Sequence, residues 1–126
     1  MAAKRSRRGD TGPQPHVRLL VATRAGGRCE RCACALPIGG GDIHHRKPRR
    51  MGGTRDPQIN APSNLVAVCR PCHDWAESHR TRALADGWLI PSTGDPASTP
   101  VWSGLYGRVL LADDGGTIPT TEGVAP

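Results

Sequence analysis

The 126-residue sequence contains 16 Gly, 12 Pro, three Trp, one Tyr and no Phe, so a single domain with a small apolar core is expected, and something besides burial has to hold it together. The net charge of +6 is unevenly spread: residues 1–28 carry seven basic side chains against Asp10 alone, whereas residues 86–126 carry Arg108 against five acids. That distribution suits a polyphosphate partner, and apolar runs such as Val66–Cys69 and Val109–Ala112 are far too short for a membrane-spanning helix, which needs about 20 residues.

Five cysteines in a chain with no signal-like apolar segment point to a soluble protein of the cytoplasm, where paired Cys bind metal more often than they form disulfides. Residues 1–15 combine Lys4, Arg5, Arg7 and Arg8 with Gly9, Gly12, Pro13 and Pro15. Such a composition cannot bury a core, and a disordered basic arm that contacts DNA phosphates is expected. From His16 to Ala25, the residues Val17, Leu19, Leu20 and Val21 predict a short helix stopped by Gly26-Gly27, which delivers the chain into Cys29.

Cys29-x-x-Cys32 and Cys69-x-x-Cys72 are separated by 36 residues. Two such knuckles supply four thiolates in tetrahedral geometry, and a closed four-sulfur zinc site is structural rather than catalytic. The alternatives are two disulfides, disfavoured by compartment, and a redox pair, disfavoured by the absence of a thioredoxin-like context. Cys34 is the odd thiol. It could replace Cys32, but C-x-x-C closes a knuckle better, which leaves Cys34 free.

After the turn-rich stretch Leu36–Gly41, a strand is expected at Asp42–Arg46, with His44 and His45 on opposite faces. Pro48–Pro62 reads as loop and Leu65–Val68 as the returning strand, with Ser63 and Asn64 at its start. A helix then begins near Pro71, with Asp74 and Glu77 toward its positive end and Gly87 as its stop. Two adjacent histidines, an asparagine 19 residues after the second, and His73 nine residues later carry more coordination and proton-transfer chemistry than packing requires. His16 and His79 have no such support. Arg46, Lys47, Arg49 and Arg50 put further cations for DNA beside the histidines.

Trp75 and Trp88 are read as packing the helix on the core, with base stacking as the sharper alternative. Ile90–Thr99 reads as a linker, and Val109–Ala112, Asp113–Gly116 and Thr117-Ile118 as strand, turn and strand. That acidic end has no catalytic pattern, and a packing role or a protein partner is expected for it.

The run Asp42-Ile43-His44-His45-Arg46-Lys47-Pro48, then Gly52-Gly53, Asn64-Leu65-Val66 and Cys69-Arg70-Pro71-Cys72-His73, closely resembles the HNH nuclease family over about residues 17–90. The compact chain is similar to the small HNH proteins encoded by phages of actinobacteria. The resemblance implies an α+β fold: a zinc-stapled ββα-metal domain over residues 16–90, with an N-terminal helix, preceded by the arm of residues 1–15 and followed over residues 91–126 by a linker and a C-terminal β-hairpin.

It further implies that His44 and His73 are ligands of a catalytic divalent metal (Mg²⁺, Mn²⁺, Zn²⁺ or Ni²⁺), that His45 is the general base, and that Asn64 holds the loop and orients His45. Some members place another His four residues after the last; here that position is Glu77, a candidate third ligand. The function implied is metal-dependent hydrolysis of DNA phosphodiester bonds, by nicking or double-strand cleavage, leaving 5′-phosphate and 3′-hydroxyl ends, with a link to genome packaging through a phage terminase. The alternatives are a non-catalytic zinc-stapled nucleic-acid-binding module and a structural zinc ribbon on RNA. The His44-His45 pair argues against both, because a binding module gains nothing from a general base beside a metal ligand.

Overall fold

The structure is a computed structural model that describes residues 12–49 and 56–120. The first helix, α1, spans Pro15–Ala25, with proline in its opening turn, where the missing N–H has no helical partner to lose. Gly26 closes it in the left-handed region, at φ 61°, as the Gly26-Gly27 stop predicts. Strands β1 (Asp42–His45) and β2 (Leu65–Val68) form an antiparallel pair in which His44 faces Val66 and His45 faces Leu65 across the ladder. Helix α2 (Arg70–Ser78) starts one residue beyond β2, so the unit is ββα.

One helix is expected from Pro71 to Gly87, but the structure breaks it at His79 (φ −125°, ψ 57°) and restarts as α3 (Arg80–Asp86). The physical reason lies in the last turn of α2. The Ser78 hydroxyl donates back to the Asp74 and Trp75 carbonyls, while the His79 ring stacks on Trp75 at 5.5 Å. Gly87 ends α3 with φ 85°, and a Cβ there would collide with the Pro100 carbonyl.

At the C-terminal end, β4 (Gly107–Leu111) and β5 (Thr117–Pro119) form the expected hairpin, and β3 (Val101–Ser103) adds a third strand to give the order β3-β4-β5. Among the described residues, no helix is long and apolar enough to cross a membrane.

Strand β2 is buried on both faces, and its alternation feeds two apolar clusters. Leu65 and Ala67 join Val21 and Ala25 of α1, whereas Val66 and Val68 join Cys29, Cys72, Ala76, Trp88, Leu89 and three residues of the C-terminal sheet, Val101, Val109 and Leu111. The segment beyond residue 90 therefore shares its core with the ββα unit. Trp88 is 2% exposed, in keeping with the packing role expected of it.

Buried charge supplements this small core. Arg24 of α1 makes a two-pronged ion pair with Glu30 (Nε–Oε1 2.6 Å, Nη2–Oε2 3.0 Å), and its guanidinium also donates to the Pro62 and Leu65 carbonyls. Glu30 in turn accepts from the Ala67 N–H of β2 at 2.8 Å, so one ion pair ties α1, the first cysteine pair and the sheet together. Breaking such a pair by removing one partner costs about 3–5 kcal/mol.

Arg46 and Lys47 do not face DNA as the sequence suggests. Arg46 is fully buried and donates to the carbonyls of Ser63 (2.8 Å), Gly87 (2.7 Å), Pro96 (3.3 Å) and Thr99 (2.6 Å). Lys47 is 6% exposed, and its Nζ meets Asp56 Oδ2 at 2.9 Å, Gln58 Oε1 at 3.3 Å and the Gly94 carbonyl at 3.1 Å. Both cations are scaffold: a guanidinium ringed by loop carbonyls fixes segments that have no ladder of their own.

Candidate functional site

Two donor clusters flank α2. The first is a set of sulfurs: one ligand atom each from Cys29, Cys32, Cys34 and Cys69 lie within 4.8 Å of one another. Cys32 and Cys69, one from each C-x-x-C, approach to 3.8 Å. The set includes Cys34, which the spacing argument leaves free, because the chain after Cys32 turns through Ala33 at φ 68° and bonds back to Cys29 (Cys29 N to Cys34 O, 2.7 Å).

The Cys72 sulfur instead accepts from Arg31 Nη1 at 3.2 Å, while remaining in electrostatic contact with Cys29. Cys29, Cys32 and Cys69 are thus common to the expected and the observed sets, with Cys34 and Cys72 both at hand for the fourth position. Burial pushes the thiols of Cys29 and Cys72 above their ordinary range, a cost that a bound cation relieves by stabilising thiolate. Four clustered thiols are a suitable donor set for a metal ion.

The second cluster is built on β1 and the start of α2. His44 points to the α2 side of the sheet and is 3% exposed, with Nε2 2.7 Å from the Trp88 carbonyl. A carbonyl can only accept, so Nε2 carries the proton and Nδ1 keeps its lone pair. His73 lies in the first turn of α2, its ring centroid 5.3 Å from that of His44, with Nδ1 3.0 Å from the Asp42 carboxylate. The carboxylate holds a proton on Nδ1 and leaves the lone pair on Nε2. His73 and then Arg70 hold Asp42 below the usual carboxylate range, so it stays an acceptor. Each ring has one nitrogen anchored and one free.

His45 occupies the opposite face of β1, on the side of α1. Its Nε2 lies 2.9 Å from Asn60 Oδ1, which leaves Nδ1 as its basic nitrogen. Burial lowers the pKa of both His44 and His45, and Arg49 and Arg18 lower that of His45 further. His45 is therefore neutral, and able to accept a proton, at neutral pH.

Asn64 accepts from Lys47 N at 2.7 Å and donates to the carbonyls of Lys47 (3.0 Å) and Ile59 (2.8 Å). It does not orient His45: that hydrogen bond belongs to Asn60. Glu77 sits one turn after His73 but is exposed and paired with Arg80 Nη1 at 3.4 Å. Among the described residues, His44, His73 and Glu77 do not form a second group of three donors within 4.8 Å. Arg49 is exposed beside His45, whereas Lys4, Arg5, Arg7, Arg8, Arg50 and the Gly52-Gly53 pair lie outside the described residues.

Sequence reasoning assigns no role to Asp42, Asn60 or Arg18. Asp42 had a signal, since alternation along β1 puts residues 42 and 44 on one face. Asn60 and Arg18 had none, being brought to His45 by a loop and by the packing of α1.

Residues 29–78 match the family model described as HNH endonuclease. The match runs from the first cysteine to the end of α2, enclosing both C-x-x-C pairs and all three motif histidines, and the mixed helix and antiparallel-strand architecture is consistent with an HNH domain. The match supports a nuclease or nucleic-acid-binding role in general, and with it a nucleic-acid partner and the divalent metal that HNH domains use. No curated protein and no solved structure gives a significant match.

Proposed function

We propose that the protein is a metal-dependent endonuclease that hydrolyses DNA phosphodiester bonds. In this reading His44 and His73 hold the catalytic divalent ion, His45 is the general base, and the sulfur cluster holds a structural zinc. The observation that carries it is the complementary anchoring of two neighbouring imidazoles: the Trp88 carbonyl frees Nδ1 of His44, and Asp42 frees Nε2 of His73. Packing alone does not call for two histidines whose free nitrogens are both fixed by outer partners, whereas metal ligation does.

His45 Nδ1 takes the proton of the attacking water, with Asn60 holding the ring and burial keeping it neutral until it acts. When bound, a divalent ion at His44 and His73 supplies charge stabilisation for the phosphate and the departing 3′-oxygen. Arg18 and Arg49 give the His45 face a positive potential that draws the phosphate in, and Lys4, Arg5, Arg7, Arg8 and Arg50 extend that attraction along the strand. Glu77 becomes a third ligand if it leaves Arg80 and turns toward His44, whose protonated form it already favours.

The test is incubation of supercoiled and linear DNA with the purified protein and its His45→Ala variant across Mg²⁺, Mn²⁺, Zn²⁺ and Ni²⁺. Cleavage by the parent in at least one metal, lost in the variant, is expected. A parent that binds DNA and cuts it with none of the four would establish the non-catalytic binding module instead.

A further inference from the structure

All three tryptophans of the chain, Trp75, Trp88 and Trp102, line one cleft of about 440 Å³ together with Arg31, His79 and Arg82. Core packing accounts for Trp88, which is 2% exposed, but Trp75 and Trp102 are only half-buried. The Arg31 guanidinium carbon sits 3.5 Å from the centroid of the Trp75 ring, and the His79 ring lies nearly parallel to the same indole, at 13° and 5.5 Å. Of the acidic groups of the cleft, Asp86 is paired with Arg82 Nε at 3.2 Å and Cys32 belongs to the sulfur cluster, while the Arg82 side chain is 58% exposed. Its walls therefore offer planar, polarisable rings and two guanidinium groups. Trp75 lies two residues beyond His73, about 200° around α2, which puts the cleft on the other side of the helix from His73 and His44.

We propose that this cleft binds an unpaired nucleobase of a nucleic-acid strand, stacked among the Trp and Arg planes, with the adjoining phosphate on Arg82. The proposal rests on the nucleic-acid reading above but concerns a separate contact. Its volume falls within the roughly 300–1,000 Å³ of ordinary small-ligand sites. Bases paired in a duplex hide their π-faces in the stack, whereas a single strand exposes them, and aromatic or guanidinium platforms recognise them with little regard to sequence. Arg31 and Arg82 supply cationic partners for the phosphate that each base carries with it. An acidic peptide is the competing occupant, and it lacks the flat ring.

Because every tryptophan borders the cleft, the whole of the intrinsic indole emission reports on it. The full-length protein is titrated with a fluorescently labelled oligo-dT strand and with a duplex of equal length, following label anisotropy and tryptophan emission together. The single strand is expected to quench the emission saturably, with the same midpoint as the anisotropy change, and Arg82→Ala and Trp102→Ala are each expected to weaken single-strand binding about tenfold while leaving duplex binding unchanged. Arg82 is exposed, so its variant keeps the test valid if Trp102→Ala fails to fold. Single-strand binding without quenching, or unaltered by Arg82→Ala, overturns the cleft assignment while leaving the nucleic-acid reading standing. Binding of neither DNA overturns both, and equal quenching by an oligo-glutamate peptide overturns the assignment in favour of an acidic partner.

Discussion

The sulfur cluster and the histidine site flank the same helix but are held in different ways. At the cluster, sulfurs converge because two short chain turns, residues 29–34 and 69–72, are pressed together over β2, so that four of the five thiols lie within 4.8 Å of one another with Cys72 beside them. At the histidine site only two rings meet, and each is aimed by a partner distant in sequence: the Trp88 carbonyl is 44 residues from His44, and Asp42 is 31 residues from His73. Redundancy of donors protects the first site. The second depends on outer hydrogen bonds, so single substitutions well away from the two rings should damage it.

The largest effect is expected where that redundancy is exhausted. Cys34→Ser and Cys72→Ser should each retain about one zinc per chain, whereas the double variant should lose the metal and with it the cooperative fold, since structural zinc in small domains contributes on the order of 10 kcal/mol. Metal analysis and thermal melts decide this. Loss of zinc in one single variant alone would identify that residue as an obligatory ligand and end the claim of redundancy.

Next comes His45→Ala, which should leave zinc content and melting temperature unchanged while cleavage falls by a factor on the order of 10² to 10⁴, the range of a general base. Asn60→Ala should give a smaller loss of the same kind, because the base remains but is no longer held.

Both sites stand on the same scaffold, and Arg46→Ala tests it. Removing a guanidinium that satisfies four carbonyls should lower stability by several kcal/mol, with DNA affinity at a temperature where the variant is still folded close to that of the parent. A variant that melts like the parent but binds DNA poorly would put Arg46 back at the nucleic-acid surface.

The smallest effect is expected at Asp42. Asp42→Asn should weaken divalent-ion binding, read by calorimetry, by about 10–100-fold, the usual range for an outer partner of a ligating histidine, and raised metal should recover cleavage. Unchanged affinity would mean that His73 needs no help in presenting Nε2.

The sequence by itself determined the ββα order, the bounds of β2, the helix stops at Gly26 and Gly87, and the two cysteine pairs, because each is written in local periodicity, turn chemistry or fixed spacing. It also singled out His44, His45 and His73, whose neighbourhood in space follows once β1, β2 and α2 are placed. Only the tertiary structure decided what surrounds them. Asn60 rather than Asn64 reaches His45 because Asn64 is turned to Lys47 and Ile59, and loops carry no period from which such a contact could be read. Arg46 and Lys47 turned inward against the ordinary preference of cations for water, since the chain segments around them offered carbonyls and a carboxylate in place of a core. Three tryptophans separated in sequence came to line one cleft for the same reason: proximity across 27 residues of chain is a property of packing, not of spacing.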